Sequence, residues 1–445
     1  MKTRSTFQTI FLAVFIIIII VSVIVFAKSP AKNSSNDPAI VGASGNVVIW
    51  GTFADDGVNN VLSEFNTLYA KSFSVIYQYH DPEKFDRDIV EALASGKGPD
   101  ILLLPDDLIL RHSDKIEPMV WSPAFDQRMF QNTFLQASEI YMHPSGLTAV
   151  PFAVDPLIMY WNRDLFDNAS ITQPPEYWDE FLSLVPKLTK RVVKSGEISQ
   201  STVALGEFDN IQSAKSIIAM LFLQLGNPIV DIKNGPPQNM LAARQDQRFV
   251  ANEDVVSAFR FFMDFSNPLK NIYSWSRALP NSRDQFINGH LAVYFDYASA
   301  YKVLQAKNPH LNFVIAPVPQ PRGTSVKVTY AHVYGLSVLK TSKNKKTAFI
   351  AVQRLLDNDP SSKFASAFNL PPVRRDLLAH KPVDAISSVL WDAAIQSRTW
   401  LDPRPDITNS AFQEAVEAVS SGRTTIGQAI SKLSSALDSA LTPYR

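Results

Sequence analysis

The chain has 445 residues, 46% apolar and 19% charged, with a formal net charge of zero and no cysteine. That length exceeds one ordinary core and predicts two domains. Balanced charge without a basic stripe excludes a nucleic-acid surface. The missing cysteine excludes disulfides, thiolate metal sites, cysteine nucleophiles and a lipid-modified N-terminal cysteine.

A basic start, Met1–Arg4, precedes an apolar run, Phe7–Phe26, whose only polar members are Gln8, Thr9 and Ser22. A secretory signal has an apolar region of roughly 7–15 residues, whereas a spanning helix needs about 20. The longer figure fits. Residues 1–28 are therefore expected to be a retained transmembrane anchor with its N-terminus inside. Cleavage as a signal after Val25-Phe26-Ala27 is the alternative. Everything beyond residue 28 would be extracytoplasmic and carries an excess of three acidic groups. Residues 29–45 are small, polar and proline-bearing and read as a flexible linker.

Val47–Trp50, Ser74–Tyr79 and Asp100–Leu104 read as strands. Between them, Val58, Val61, Leu62, Phe65, Leu68 and Tyr69, then Phe85, Ile89, Val90 and Leu93, recur at helical spacing. This alternation implies an α/β domain with a mostly parallel sheet, which binds ligands beyond the carboxyl ends of its strands. Those ends are Gly51–Asp55 and Pro105–Asp107, and a short helix is expected at Leu108–Arg111. The apolar run Leu147–Val154 is broken by Asp155-Pro156 and resumes at Leu157–Trp161. A lone carboxylate between buried strands is costly unless something pairs with it. Asp155 is thus a turn residue or is aimed at a ligand.

Helical patterns dominate afterwards. Ile211–Leu225 reads as a helix capped by Asp209 or Asn210, and Val255–Phe265 follows Asn252. Ala292–Phe295, Phe313–Ala316 and Val333–Leu339 read as strands, Ala348–Leu356 as a helix, and the chain beyond Asp384 as largely helical. The densest basic run, Lys343–Lys346, reads as a solvated helix start rather than a partner site. Pro317–Leu356 repeats the pattern of the first section. The chain is therefore expected to leave one lobe and return to it, with a multi-strand hinge and a cleft between lobes. Lobe 1 would comprise 46–154 with 318–369, and lobe 2, mostly helical, 155–317 with 370–445.

Several segments carry a resemblance. They are Gly98–Leu102, Gly146–Phe166, Pro174–Phe181, Phe286–Gly289 with Ala292–Phe295, Tyr334–Asn344 and Ser421–Ala429. In their order and spacing they resemble the extracellular solute-binding proteins of ABC importers, in the sugar-binding group that includes maltose-binding protein. The resemblance covers about residues 46–442. It implies a two-lobed periplasmic-binding-protein-like fold, closure around a sugar or oligosaccharide, and delivery to permease subunits with their ATPase. It departs at Tyr177, where the group has a capping threonine, and at Asp296–Ser299, where a glycine-x-tryptophan often stands.

Under the resemblance, Asp155 is a hinge carboxylate accepting sugar hydroxyls, Asp107 the carboxylate after the third strand, and Thr52 and Phe53 the first cleft loop. Asp106 either contacts ligand or caps the short helix. Asn210, Tyr297, Ser299, His332, Tyr334 and Trp400 complete the candidate ligand contacts, each weighed against ordinary capping or packing. Trp161, Trp178 and Trp275 are assigned to the core. No catalytic motif or metal-ligand spacing occurs, so a monomeric binding protein without cofactor is expected, not an enzyme. A carbohydrate-active enzyme using Asp107 and Asp155, a sensor or adhesion module, and a ferric-type site at Tyr330-x-His332-x-Tyr334 are the alternatives.

Overall fold

The computed structural model of the chain describes residues 42–123, 125–232, 235–245 and 248–445. The expected anchor and most of the linker lie outside these residues. No helix among the described residues is long and apolar enough to cross a membrane.

The first lobe begins with β1 (Gly45–Gly51), α1 (Asp55–Tyr69), β2 (Phe73–Tyr79), α2 (Pro82–Ala94) and β3 (Ile101–Pro105). The three strands are parallel. Val47, Ile49, Val75 and Leu102–Leu104 are buried against Val58, Leu62, Phe65, Phe85 and Ile89 of the two helices. Asp81 caps α2 by accepting from Glu83 N at 2.9 Å, with Pro82 at the first turn.

β4 (Val150–Asn162) is one strand, buried along its whole length. Asp155-Pro156, where lobe 2 was expected to begin, interrupts the apolar run without ending the strand. Instead, these two residues mark a change of partners. Before them β4 pairs with β8 (Thr329–Val338); that ladder ends at Pro156 opposite Ala331. After them it pairs with β6 (Leu291–Tyr297) on one side and β7 (Phe313–Ala316) on the other. A proline, which donates no ladder hydrogen bond, is tolerated at such a handover. β8 also pairs antiparallel with β3, and β6 runs parallel to β5 (Ile198–Val203). One continuous sheet, β2-β1-β3-β8-β4-β6-β5, therefore runs through both lobes. This is a mixed α/β, two-lobed periplasmic-binding-protein-like fold.

The second lobe carries α3 (Ala214–Gln224), α4 (Glu253–Asp264), α5 (Ala300–Lys307), α9 (Pro405–Ser420) and α10 (Ile426–Leu441). In the first lobe, β8 is followed by α6 (Lys345–Leu355) and α7 (Asn358–Phe368). α8 (Ala385–Gln396) and the short β9 (Ser397–Arg398) lie along the hinge, where β9 pairs with β8. Trp161, Trp178 and Trp275 are buried, as expected.

Four local expectations are corrected. α3 starts at Ala214, not Ile211, because Ser213 adopts a left-handed conformation, φ 59°, and its Oγ donates to Asp296 at 3.2 Å. The helix expected at Leu108–Arg111 is a single 3-10 turn at Asp106–Leu108. At Tyr177, where the threonine is missing, Glu180 N donates to the Tyr177 carbonyl at 3.2 Å, and the Glu180 carboxylate reaches back to accept from Glu176 N at 2.8 Å. Residues 373–375 sit with the first lobe, not the second: Val373 O accepts from Leu135 N, and Arg375 Nε donates to Phe134 O.

Candidate functional site

The carboxyl end of β3 meets the hinge strands at a polar junction. Asp106 is fully buried. Its carboxylate accepts from His332 Nδ1 at 2.7 Å, from Val333 N at 3.2 Å and from the Thr399 hydroxyl. Asp106 does not cap the short helix; it ties β3 to β8 and to the segment after β9. Burial works against charge on His332, but Asp106, Asp107 and Asp155 outweigh it and hold the imidazole up at about 9. The ring is therefore a cation at neutral pH. It stacks on Tyr297 with centroids 4.7 Å apart.

Asp107, the next residue, turns the other way. It is part-buried and lines a cavity of about 530 Å³. Its carboxylate has no hydrogen-bond partner among the described residues. Burial lifts its pKa to about 6, against the pull of His332, with Asp106 adding to the rise. Tyr297, His332 and Trp400 line the same cavity, with Tyr330 and Phe208. Cavities of this size suit small ligands.

The opposite wall is the first turn of α3. Ser216 Oγ lies 2.6 Å from the Tyr297 hydroxyl. Lys215 Nζ reaches Asp402 at 2.5 Å and sits 5.5 Å from the Trp400 ring centroid. Asp402 also accepts from the Thr408 hydroxyl at 2.8 Å and from Arg404 N at 3.1 Å. Gln413 donates to Asp209 at 2.8 Å. Gln212 and Asn409 also line the cavity, and their side-chain amides form no hydrogen bond among the described residues.

Other candidates lie off the cavity wall. Asp155 is 5% exposed, and its Oδ1 accepts from Ser299 N at 3.0 Å. It stands directly opposite His332 in the ladder, and burial raises its pKa to about 6 despite the bond from Ser299. Ser299 contributes that backbone donor at the start of α5. Phe53 packs between Tyr334 and Phe368, centroids 4.7 and 4.6 Å away, with Thr52 beside it. Asn210 is committed to the fold. Its amide donates to Ser276 O and Leu279 O, both at 2.9 Å, and accepts from Trp275 Nε1 at 3.0 Å. Asp296, in the segment that departs from the sugar-binding pattern, is a buried hub for Arg283, Tyr294 and Ser213.

The arrangement does not suit the rival chemistries. One carboxylate, not two, faces the cavity unpaired. Burial raises the pKa of Tyr297, Tyr330 and Tyr334 well above the ordinary phenol value. No cluster of three carboxylates or imidazoles able to hold a metal occurs among the described residues. Lys215, Asp402 and Gln212 were missed from the sequence. A lysine in the first turn of an otherwise apolar helix was the one available signal.

The chain matches the family of bacterial extracellular solute-binding proteins over residues 63–358. It belongs to that family. The fold of this solute-binding protein is similar to that of a cyclo/maltodextrin-binding protein complexed with maltotetraose: TM-score 0.70, 16% identity, 89% of this chain and 97% of that one. It is similar to the GacH receptor of Streptomyces glaucescens GLA.O at TM-score 0.69 and 17% identity, over 90% and 100% of the chains. It is also similar to the sugar-binding protein MalE from Xanthomonas citri at TM-score 0.68 and 17% identity, over 89% and 98%. The family is one of binding proteins, in line with the expectation that the chain is not an enzyme.

Proposed function

We propose that this solute-binding protein captures a sugar or oligosaccharide between its lobes and delivers it to the permease subunits of an ABC importer. The observation that carries this reading is Asp107, an unpartnered carboxylate facing a cavity walled by aromatic rings and free amides. A carboxylate forms the stronger class of hydrogen bond, and a sugar brings many hydroxyl donors. The rings of Tyr297, Tyr330 and Trp400 suit the flat apolar faces of a pyranose. Gln212 and Asn409 can both donate and accept. Several proteins of similar fold are described in complex with maltotetraose, acarbose or mannotriose.

Ligand contacts on both sides of the cleft favour the closed arrangement, and only that differential affinity drives closure. β4 and β8, crossing between lobes, supply the hinge. The protein acts as a monomer, held at the membrane by residues 1–28 with its lobes outside. Asp155, beside His332 and beneath the cleft, becomes available to ligand on closure. A thermal-shift screen of the chain against oligosaccharides, peptides and metal ions tests the reading. An oligosaccharide at 100 times its dissociation constant should add about 2.7 kcal/mol of stability. A response to peptides or metals alone would overturn it.

A further inference from the structure

The sequence presents Lys343 and Lys346 as an isolated basic run; the fold gives them company. Lys71 stands two residues before β2, Lys97 four before β3, and Lys340 two beyond β8. The register gathers them at one end of the first-lobe sheet: Gly45 pairs with Phe73, Ile49 with Ile101, and Ile101 with Val338. Asn344 Nδ2 donates to Asn46 O at 3.1 Å, bringing the start of α6 to the same end. Lys71, Lys97, Lys340, Lys343 and Lys346 are all exposed.

The acids at this pole are already engaged. Asp114 pairs with Lys115 and Glu117 with Lys345. Asp100 accepts from Val48 N and from Ser342 Oγ. Lys340 donates to the Asp114 carbonyl. Lys71, Lys97, Lys343 and Lys346 have no carboxylate partner among the described residues. Four uncompensated cations thus share one end of one lobe.

A second observation says what this pole faces. The first described residues lie in it: a Cβ on Gly42 would be 2.6 Å from Lys346 Nζ, and Ser44 N donates to Thr347 Oγ1 at 3.2 Å. The apolar run Phe7–Phe26 is therefore joined to the fold at the lysine pole, with fifteen residues between Phe26 and Gly42.

We propose that the lysine pole rests on anionic phospholipid headgroups of the membrane that holds residues 1–28. This goes beyond the sugar-binding reading and relies only on its anchor. Each lysine near an anionic surface strengthens attachment about fivefold. The effect fades beyond about 10 Å at moderate salt, so the tether's short reach matters by raising the local concentration of the surface. Gly51 and Asp107 are at the other end of β1 and β3, about 20 Å away. The resting protein then stands with its cleft pointing away from the bilayer, open to solute.

The test uses the full chain, reconstituted in zwitterionic vesicles or in vesicles containing phosphatidylglycerol, with lysine acetylation rates read by mass spectrometry. A second basic stretch, Lys187, Lys190 and Lys194 in the second lobe, is equally exposed and has no tether beside it. Acetylation at Lys71, Lys97, Lys343 and Lys346 should slow about fivefold or more on the anionic vesicles. That protection should vanish at high salt, while the second-lobe stretch is unaffected. Lys71→Gln combined with Lys97→Gln should weaken protection at Lys343 and Lys346. Equal labelling on the two bilayers overturns the proposal and leaves the anchor standing. Failure to float with either vesicle overturns both. Shielding by a soluble polyanion such as duplex DNA, but not by vesicles, also overturns it. Sugar-induced thermal shifts on the same samples report the binding reading separately.

Discussion

His332 donates to Asp106 at 2.7 Å while its ring lies flat against Tyr297, so one imidazolium joins a first-lobe carboxylate to a second-lobe phenol. Removing Asp106 would leave that cation buried without its nearest counter-charge. Asp106→Ala is expected to cost about 3–5 kcal/mol of stability, read as a lower urea midpoint. A change below about 1 kcal/mol, the range of a surface pair, would contradict the role assigned here.

Asp107 should behave in the opposite way. Its carboxylate is desolvated and unpartnered, so Asp107→Asn should leave the free protein as stable or slightly more so. Sugar affinity should fall about 10- to 100-fold, the value of a charge-assisted hydrogen bond. Calorimetric titration with the best ligand from the screen decides it; unchanged affinity would remove Asp107 from the site.

The pH dependence has a definite sign. Asp107 and Asp155 are raised to about 6, so between the ordinary carboxylate range and about 6 the folded state holds protons that the unfolded chain has released. Their contribution to stability falls as pH rises through that window. His332 is raised to about 9; its stabilisation is complete below its unfolded value and is lost as pH rises through about 9. Ligand affinity should instead increase through about 6, as Asp107 ionises under the field of His332, Lys215, Asp106 and Asp402. It should decline above about 9. Melting temperatures with and without sugar across that range should separate the two trends, and a flat affinity profile would rule out Asp107 as the acceptor.

Asn210→Ala should act on the fold rather than the ligand. It strands two carbonyls and the Trp275 indole N–H, a loss of about 2–3 kcal/mol. Once stability is restored by low temperature, sugar affinity should stay within about twofold of the parent. A selective loss of affinity would return Asn210 to the binding surface.

The sequence carried the architecture well because strand and helix patterns are local. The alternation from Val47 to Leu104 and the return at Val333–Leu339 both lie where expected. Asp155-Pro156 marks the lobe crossing expected at residue 155, and only the partners on either side explain why the strand continues through a proline. Of the candidate residues, Asp107, Tyr297, His332 and Trp400 line the cavity, and they follow strand ends or hinge strands. Asp106 and Asn210 look equally polar in sequence, but their bonds run to residues 65 to more than 200 positions away. Lys215 and Asp402 meet across 187 positions, a pairing no local pattern contains.

The shared strand β4 has a mechanical consequence. Residues 150–154 pair with β8, and residues 157–162 pair with β6 and β7. Neither lobe can melt without stripping half the partners from a strand the other lobe needs. Denaturation should therefore proceed as a single calorimetric event despite the two lobes. The amides of β4 should be among the last to exchange with deuterium, opening only when the whole molecule does. The same unbroken strand that crosses between the lobes also forbids them separate lives.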